Sequence, residues 1–414
     1  HRRHYSENGT LNKYVIHDYD ENGVSLGFKL YGYFEDGETL WFEGIYQYNN
    51  GDESEAIELN FSQYRSDTTL EFHRETKLNA DDTPEGYTIT YYYADGETKQ
   101  SEAVIEYQYG DTDNPAEIEF KQWRIDNSLE LERTAYFYDD GSVKGVEKVS
   151  YFADGKTKET EADYIYQEGD LSKIVERDYK RYRLDETLEL HRDATLNLDE
   201  SLKSFVLITY YEDGKTKKIE DNFVAKYDAE GSHEMVRSGS FIEYYSDEKK
   251  KEEYTYVAKQ NDDGAWVGVR KGSFIKYFSD EKKKEEYTYV AKQNDDGTWV
   301  GVREGKGLVN WESTGNRKWV PTYVPKKDSD GVWQDALEGD VFSYDKNDVL
   351  EVKAQYIAKQ NDDGSWIGVR EGTETFYLED QTISAHYTYV SKQNSLGDWR
   401  GVKEGPFEKT YQEQ

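Results

Sequence analysis

From Tyr254 to Gly272 the chain reads YTYVAKQNDDGAWVGVRKG, and 33 residues later it reads YTYVAKQNDDGTWVGVREG. The blocks Gly239 to Lys271 and Gly272 to Glu304 differ at only four of 33 positions. Repetition at this period confines the chain to architectures in which one supersecondary unit stacks on the next. The unit recurs downstream. Trp266, Trp299, Trp333, Trp366 and Trp399 fall 33 or 34 apart, as do Tyr256, Tyr289, Tyr323, Tyr356 and Tyr389. A glycine stands two residues before each Trp, and Phe223, Gly231 and His233 form a remnant one unit upstream.

The first half repeats at 59 residues. YRSDTTLEFHR at Tyr64, WRIDNSLELER at Trp123 and YRLDETLELHR at Tyr182 share one pattern, and YSENGTL at Tyr5 is a shortened version. Gly37, Gly96, Gly155 and Gly214 mark a second position of the same unit. Inside the first block, Asn8-Gly9, Asn22-Gly23, Asp36-Gly37 and Asn50-Gly51 lie 14 residues apart. Asn-Gly and Asp-Gly favour type I′ hairpin turns, in which both central residues need positive φ. The 59-residue unit therefore predicts four strands of about 10–12 residues. The 33-residue unit predicts two, with turns at Asp247-Glu248 and Asp263-Gly264.

Segments such as YTITYYY and AVIEYQY are rich in β-branched and aromatic residues, as strands are. No amphipathic helix of useful length is visible, and SDEKKKEEY falls in strand register. The expectation is an all-β chain, an antiparallel meander of tandem hairpin repeats with roughly two dozen strands. Residues 1–222 carry the period of 59 and residues 223–414 the period of 33, as one continuous array. Open sheets rarely exceed about 10 strands without curling or closing. An elongated, coiled or single-layer sheet is expected, with a β-propeller as the alternative because four strands make a blade.

Composition favours the wet ribbon. Hydrophobic residues are 35% of the 414, below the usual ~45–50%. Aromatics are 15%, with 38 Tyr, which argues against disorder. The net charge of −34 argues against nucleic acid and anionic membranes. No apolar run is long enough for a transmembrane helix, and Cys is absent. The chain opens HRRHY and its only Met is Met235, which points towards a removed leader and export.

The phrasing GSFIEYYSDEKKKEEYTY, followed by DGAWVGVR-type text, and ITYYEDGKTKKIEDNF from Ile208 resemble bacterial variant MORN repeats. That resemblance implies an extended β-hairpin array serving as a scaffold or binding surface; some members are described as antitoxins.

Catalytic signatures are missing from the text. His73 and His191 share a repeat position that Glu132 fills between them, so a polar strand position accounts for all three. No nucleophile elbow, HExxH or P-loop occurs, and no enzyme is expected. DYDENG at Asp18 opens like a calcium loop, but Lys29 stands where the twelfth-position acid belongs. Asp-rich turns are the only place for calcium, and no other cofactor or metal is expected. The Trp and Tyr series are the candidate ligand-binding residues. They read either as packing over glycine-bearing neighbours or as a ladder of platforms for sugar rings. Arg65, Arg124 and Arg183, with Arg74, Arg133 and Arg192, are expected to pair with Glu across strands.

The functional expectation is a structural or adhesive repeat protein of the bacterial surface or matrix, forming filaments through sheet ends. A carbohydrate- or cell-wall-binding array and an intracellular scaffold or antitoxin-like protein binder are the alternatives. Partners are then further copies, other proteins or glycans, without nucleic acid or membrane insertion. An extracellular location is expected, with the cytoplasm as the alternative.

Overall fold

The computed structural model describes residues 1–49, 52–167, 170, 172–227 and 232–409; the expected Asn50-Gly51 turn and Gly231 lie outside them. These residues form thirty-two β-strands, with a 3-10 turn at Gln108–Gly110. Pairing is antiparallel and in most of the chain runs from one strand to the next in sequence, as in Leu70–Leu78, Pro84–Tyr92 and Lys99–Tyr107, whereas Lys318–Val320 skips ahead to Gly339–Tyr344. Among the described residues, Arg2–Tyr5 pairs only with Leu11–Tyr19, and Trp399–Lys409 only with Ile383–Gln393. The meander therefore closes into neither a barrel nor a propeller, and the propeller alternative falls. Packing groups the chain into two units, His1–Leu188 with Leu196–Ser201, and Glu189–Thr195 with the residues from Leu202 onward.

In the first unit most strands are nine residues long, shorter than the turn spacing suggests, because the turns are longer than two residues. At the first hairpin, Ser6 N–H donates to Thr10 O at 2.9 Å and Gly9 N–H to Ser6 O at 2.9 Å. Gly9 has φ +86°, and Asn8 is not among the positive-φ residues. This is a type I turn closed by one left-handed residue, not the expected type I′ turn. The turns at Asp36-Gly37, Asp95-Gly96, Asp154-Gly155 and Asp213-Gly214 are one residue longer still. Asp36 accepts the N–H groups of Glu38 at 2.9 Å and Thr39 at 2.8 Å. Asp95, Asp154 and Asp213 repeat this. The side chain acts as a turn template, the usual role of Asp in such loops.

The arginines correct the second expectation. Arg65 donates to the carbonyls of Leu70 at 2.7 Å, Tyr92 at 2.6 Å and Tyr93 at 3.0 Å. Arg124 repeats this on Leu129, Tyr151 and Phe152, and Arg183 reaches Leu188 O at 3.0 Å. A planar guanidinium with five donors suits a cluster of carbonyls at a turn better than one carboxylate. Arg74 and Arg133 do pair with acids, Glu58 at 2.7 Å and Glu117 at 2.9 Å.

In the second unit strands such as His233–Tyr244 and Lys283–Gln293 reach 12 and 11 residues and serve two partners, while others, such as Leu308–Asn310, have only three residues. Lys283–Gln293 pairs through Lys283–Tyr289 with Gly272–Tyr277, while its last residues, Val290–Gln293, pair with Trp299–Val302. The strand Trp266–Tyr277 pairs with Lys250–Gln260 along its length, with a bulge between Tyr254 and Tyr256, and gains Lys283–Gln293 as a second partner from Gly272, which has φ +92°. Only glycine takes that conformation without steric cost. The hairpin tips thus project beyond the shared part of the sheet. The core beneath is aromatic: Tyr254, Phe274, Tyr287 and Tyr323 are each 7–8% exposed. Their rings follow one another at 5.8–6.0 Å. Aromatic cross-strand pairs thereby replace the missing aliphatic core. One rung departs from the pattern. Pro321, fully buried, has no N–H to give, and Gly305–Lys306, Thr322–Lys327 and Trp333–Leu337 form a separate three-stranded ladder.

Candidate functional site

Alternation along the tip strand places Trp266, Gly268 and Arg270 on one face, opposite Gln260, Ala258 and Tyr256 in register. The same geometry recurs in every tip, so the sequence series become columns. Each tryptophan, half-buried, meets a lysine from one repeat upstream. The Nζ-to-ring distances are 4.7 Å for Lys226–Trp266, 4.5 Å for Lys259–Trp299, 5.1 Å for Lys292–Trp333, 5.6 Å for Lys326–Trp366 and 5.1 Å for Lys359–Trp399. Four of the indole N–H groups donate to a backbone carbonyl of the upstream tip. Trp299 reaches Gln260 at 3.0 Å; Trp333, Trp366 and Trp399 reach Gln293, Lys327 and Gln360 at 2.9 Å. The backbone N–H groups of Trp333 and Trp399 are held by the Asn294 and Asn361 side chains at 2.8 and 2.9 Å.

Glycine lets the tips approach. A Cβ on Gly301 would lie 2.7 Å from Arg270 O and 2.9 Å from Arg270 Cβ, and Gly268 stands in the same relation to Arg237. On the opposite face Val269, Val302 and Val369 are 2–3% exposed. Turn touches turn as well: the N–H groups of Asp262, Asp295 and Asp362 donate to the carbonyls of Gly297, Gly331 and Gly397.

The tyrosine series forms a second column, capped by arginine. Arg237 lies 5.2 Å from the Tyr256 ring, Arg270 5.8 Å from Tyr289, Arg303 4.0 Å from Tyr323, and Arg370 5.9 and 5.6 Å from Tyr356 and Tyr389. These cations are themselves anchored. Arg237 Nε is 2.8 Å from the buried Asp221, Arg303 is paired with Asp335, and Arg370 with the buried Glu374 at 2.8 Å. Burial pushes the neighbouring Tyr254 and Tyr287 hydroxyls up to about 12.

The structure brings all ten ladder residues into these two columns. Packing explains every contact just described; a sugar ring would have to use the part of each tryptophan that lysine leaves uncovered. The lysine and arginine series were overlooked in the sequence, although Lys226, Lys259, Lys292, Lys326 and Lys359 carry the same 33- or 34-residue spacing. A charged residue on a strand reads as solvated until its neighbour is known.

Turn acids are engaged by their own loops. Asp328 accepts from the N–H groups of Asp330 at 3.0 Å and Val332 at 2.8 Å, and Asp20 from Asn22 and Val24. Among the described residues no three His, Cys, Asp or Glu gather as a metal site, and no helix is long and apolar enough to cross a membrane.

No family model and no curated protein matches the chain. Among solved structures, TcdB2-TccC3-Cdc42 matches over 97% of this chain at 9% identity and a TM-score of 0.13. This chain spans 26% of that one. A porin-like protein from Bacteroides uniformis matches over 75% of this chain and 94% of its own, at 8% identity and a TM-score of 0.15. The resemblance to MORN repeats thus stands only as an antiparallel β-repeat fold of tandem hairpins.

Proposed function

We propose that this chain is a non-enzymatic structural or adhesive repeat protein of the bacterial cell surface or extracellular matrix, of the variant MORN kind, joining further copies into filaments through its sheet ends. One observation carries the reading: the same tip-to-tip contact, lysine on tryptophan, is made at five successive rungs. Interchangeable rungs extend a surface, whereas catalysis concentrates unlike groups at one place.

Negative-stain imaging across a concentration series tests it. Rods that lengthen with concentration are expected. A particle of constant size that binds a glycan array, and loses that binding in the Trp299→Ala/Trp366→Ala double variant, would replace it with the carbohydrate-binding reading. A compact complex with a co-purifying protein would replace it with the scaffold reading.

A further inference from the structure

The 59-residue repeat places four strand pairs in equivalent register: Phe28 opposite Tyr46, Tyr87 opposite Ile105, Val146 opposite Tyr164, and Phe205 opposite Phe223. In three copies the first residue is aromatic and its ring is packed. Phe28 stacks on Tyr46 at 4.7 Å and Phe205 on Phe223 at 4.8 Å, while Tyr87 lies 6.1 Å from Tyr107. Arginine covers two of these rings, Arg74 at 5.7 Å from Tyr87 and Arg192 at 5.6 Å from Phe205. Arg74 also lies 5.8 Å from Phe61, so it sits between two rings.

The remaining copy has lost its ring. Arg133 lies 4.2 Å over Phe120, the counterpart of Phe61, but the counterpart of Tyr87 is Val146. A cavity of about 450 Å³ opens there, within the size range of small-molecule sites, ~300–1,000 Å³. Its apolar wall includes Ala135, Val143, Val146 and Ile174. Arg133 and Lys148 line it too. The Nε of Arg133 is buried and has no hydrogen-bond acceptor among the described residues. Lys148, opposite Arg133 in register, stands where the other copies carry Leu30, Ile89 and Leu207. Glu117 balances Arg133 at 2.9 Å, and Lys148 has no ion pair among the described residues, so the wall carries one positive charge more than negative. A missing ring and a new cation coincide in one rung, beside an arginine whose Nε is itself buried and whose terminal nitrogens remain to meet a ligand.

We propose that this cavity binds a small aromatic carboxylate, its ring filling the place of the absent Phe or Tyr and its carboxylate held by Arg133 and Lys148. The test uses the full chain, with phenylacetate and its neutral amide, phenylacetamide, as probes in ligand-observed NMR titrations. Phenylacetate is expected to saturate in the micromolar to millimolar range and to bind about tenfold tighter than the amide. Val146→Phe, which restores the residue of the copies at Phe28 and Phe205 and so folds, abolishes both. Lys148→Ile, which restores Ile89, removes the preference for the acid and leaves the amide unchanged. Unaltered binding to Val146→Phe, or no saturable binding of either probe to the wild-type chain, overturns the proposal. An undiminished acid preference in Lys148→Ile overturns the carboxylate assignment.

Discussion

At the scale of single residues, the turns hold the clearest tests. The left-handed position of the turn after Arg65 is Thr68, at φ 70°. A β-branched residue is strained there, whereas Asn tolerates the conformation. The sister turn has Asn127 at φ 63°. Thr68→Asn is therefore expected to stabilise the protein by about 0.5–1 kcal/mol, read as a higher urea midpoint. Thr68 is exposed, so little packing is lost. Turn positions were legible in the sequence because Asn-Gly and Asp-Gly announce them. Turn type was not, because a Gly can close either a two-residue or a three-residue loop, and the partner carbonyl decides which. The same limit hid the role of Arg65 and Arg124. Their acceptors are main-chain oxygens of their own hairpin and of the next turn, which no side-chain pattern advertises.

At the scale of the element, the hairpin tip is defined by how closely it lies on its neighbour. Gly301→Ala puts a methyl group against the Arg270 carbonyl, and backbone offers no easy relief. Overpacking of this kind is expected to cost about 1–3 kcal/mol, seen as a lowered thermal midpoint. Removing the lysine caps tests the column itself. Lys259→Met, Lys292→Met and Lys359→Met keep the aliphatic stems but lose the charge, and each is expected to cost about 0.5–1 kcal/mol. Thermal melts of the three single variants and their combination check both the size and the summation. The alternation of Trp266, Gly268 and Arg270 was readable as a strand face. What that face meets was not, because stacking depends on the left-handed Gly272 and on where the second partner strand begins.

At the scale of the whole molecule, the fold class follows from turn spacing and β-rich text, and the open sheet follows from the low aliphatic content; the outer sides of the first and last strands, unpartnered among the described residues, exclude the propeller alternative. Equivalence of the rungs was also legible; the exception at Val146 was not, since a valine in a strand looks ordinary until its sister residues are placed in register. Acid and alkali should act on different parts. Tyr46, Tyr64, Tyr254 and Tyr287 are pushed up to about 12, chiefly by burial. Raised tyrosines favour the protonated folded state, so their contribution is whole below pH ~10 and is lost as pH rises through about 12. Circular dichroism and tyrosinate absorbance should therefore change together in that window. The turn carboxylates shift the other way: hydrogen bonds from Thr157 and backbone N–H groups lower Asp154 to about 2. The contribution of Asp154 is present above pH ~4 and fades as pH falls through about 2. The turn-on-turn bonds from Asp262, Asp295 and Asp362 carry a different consequence. Loop tips are ordinarily where a protease starts, yet these tips are fastened to one another. An endopeptidase that cuts beside acidic residues should nick the chain at Asp280-Glu281, at the opposite end of the same strand, well before it opens Asp295-Asp296.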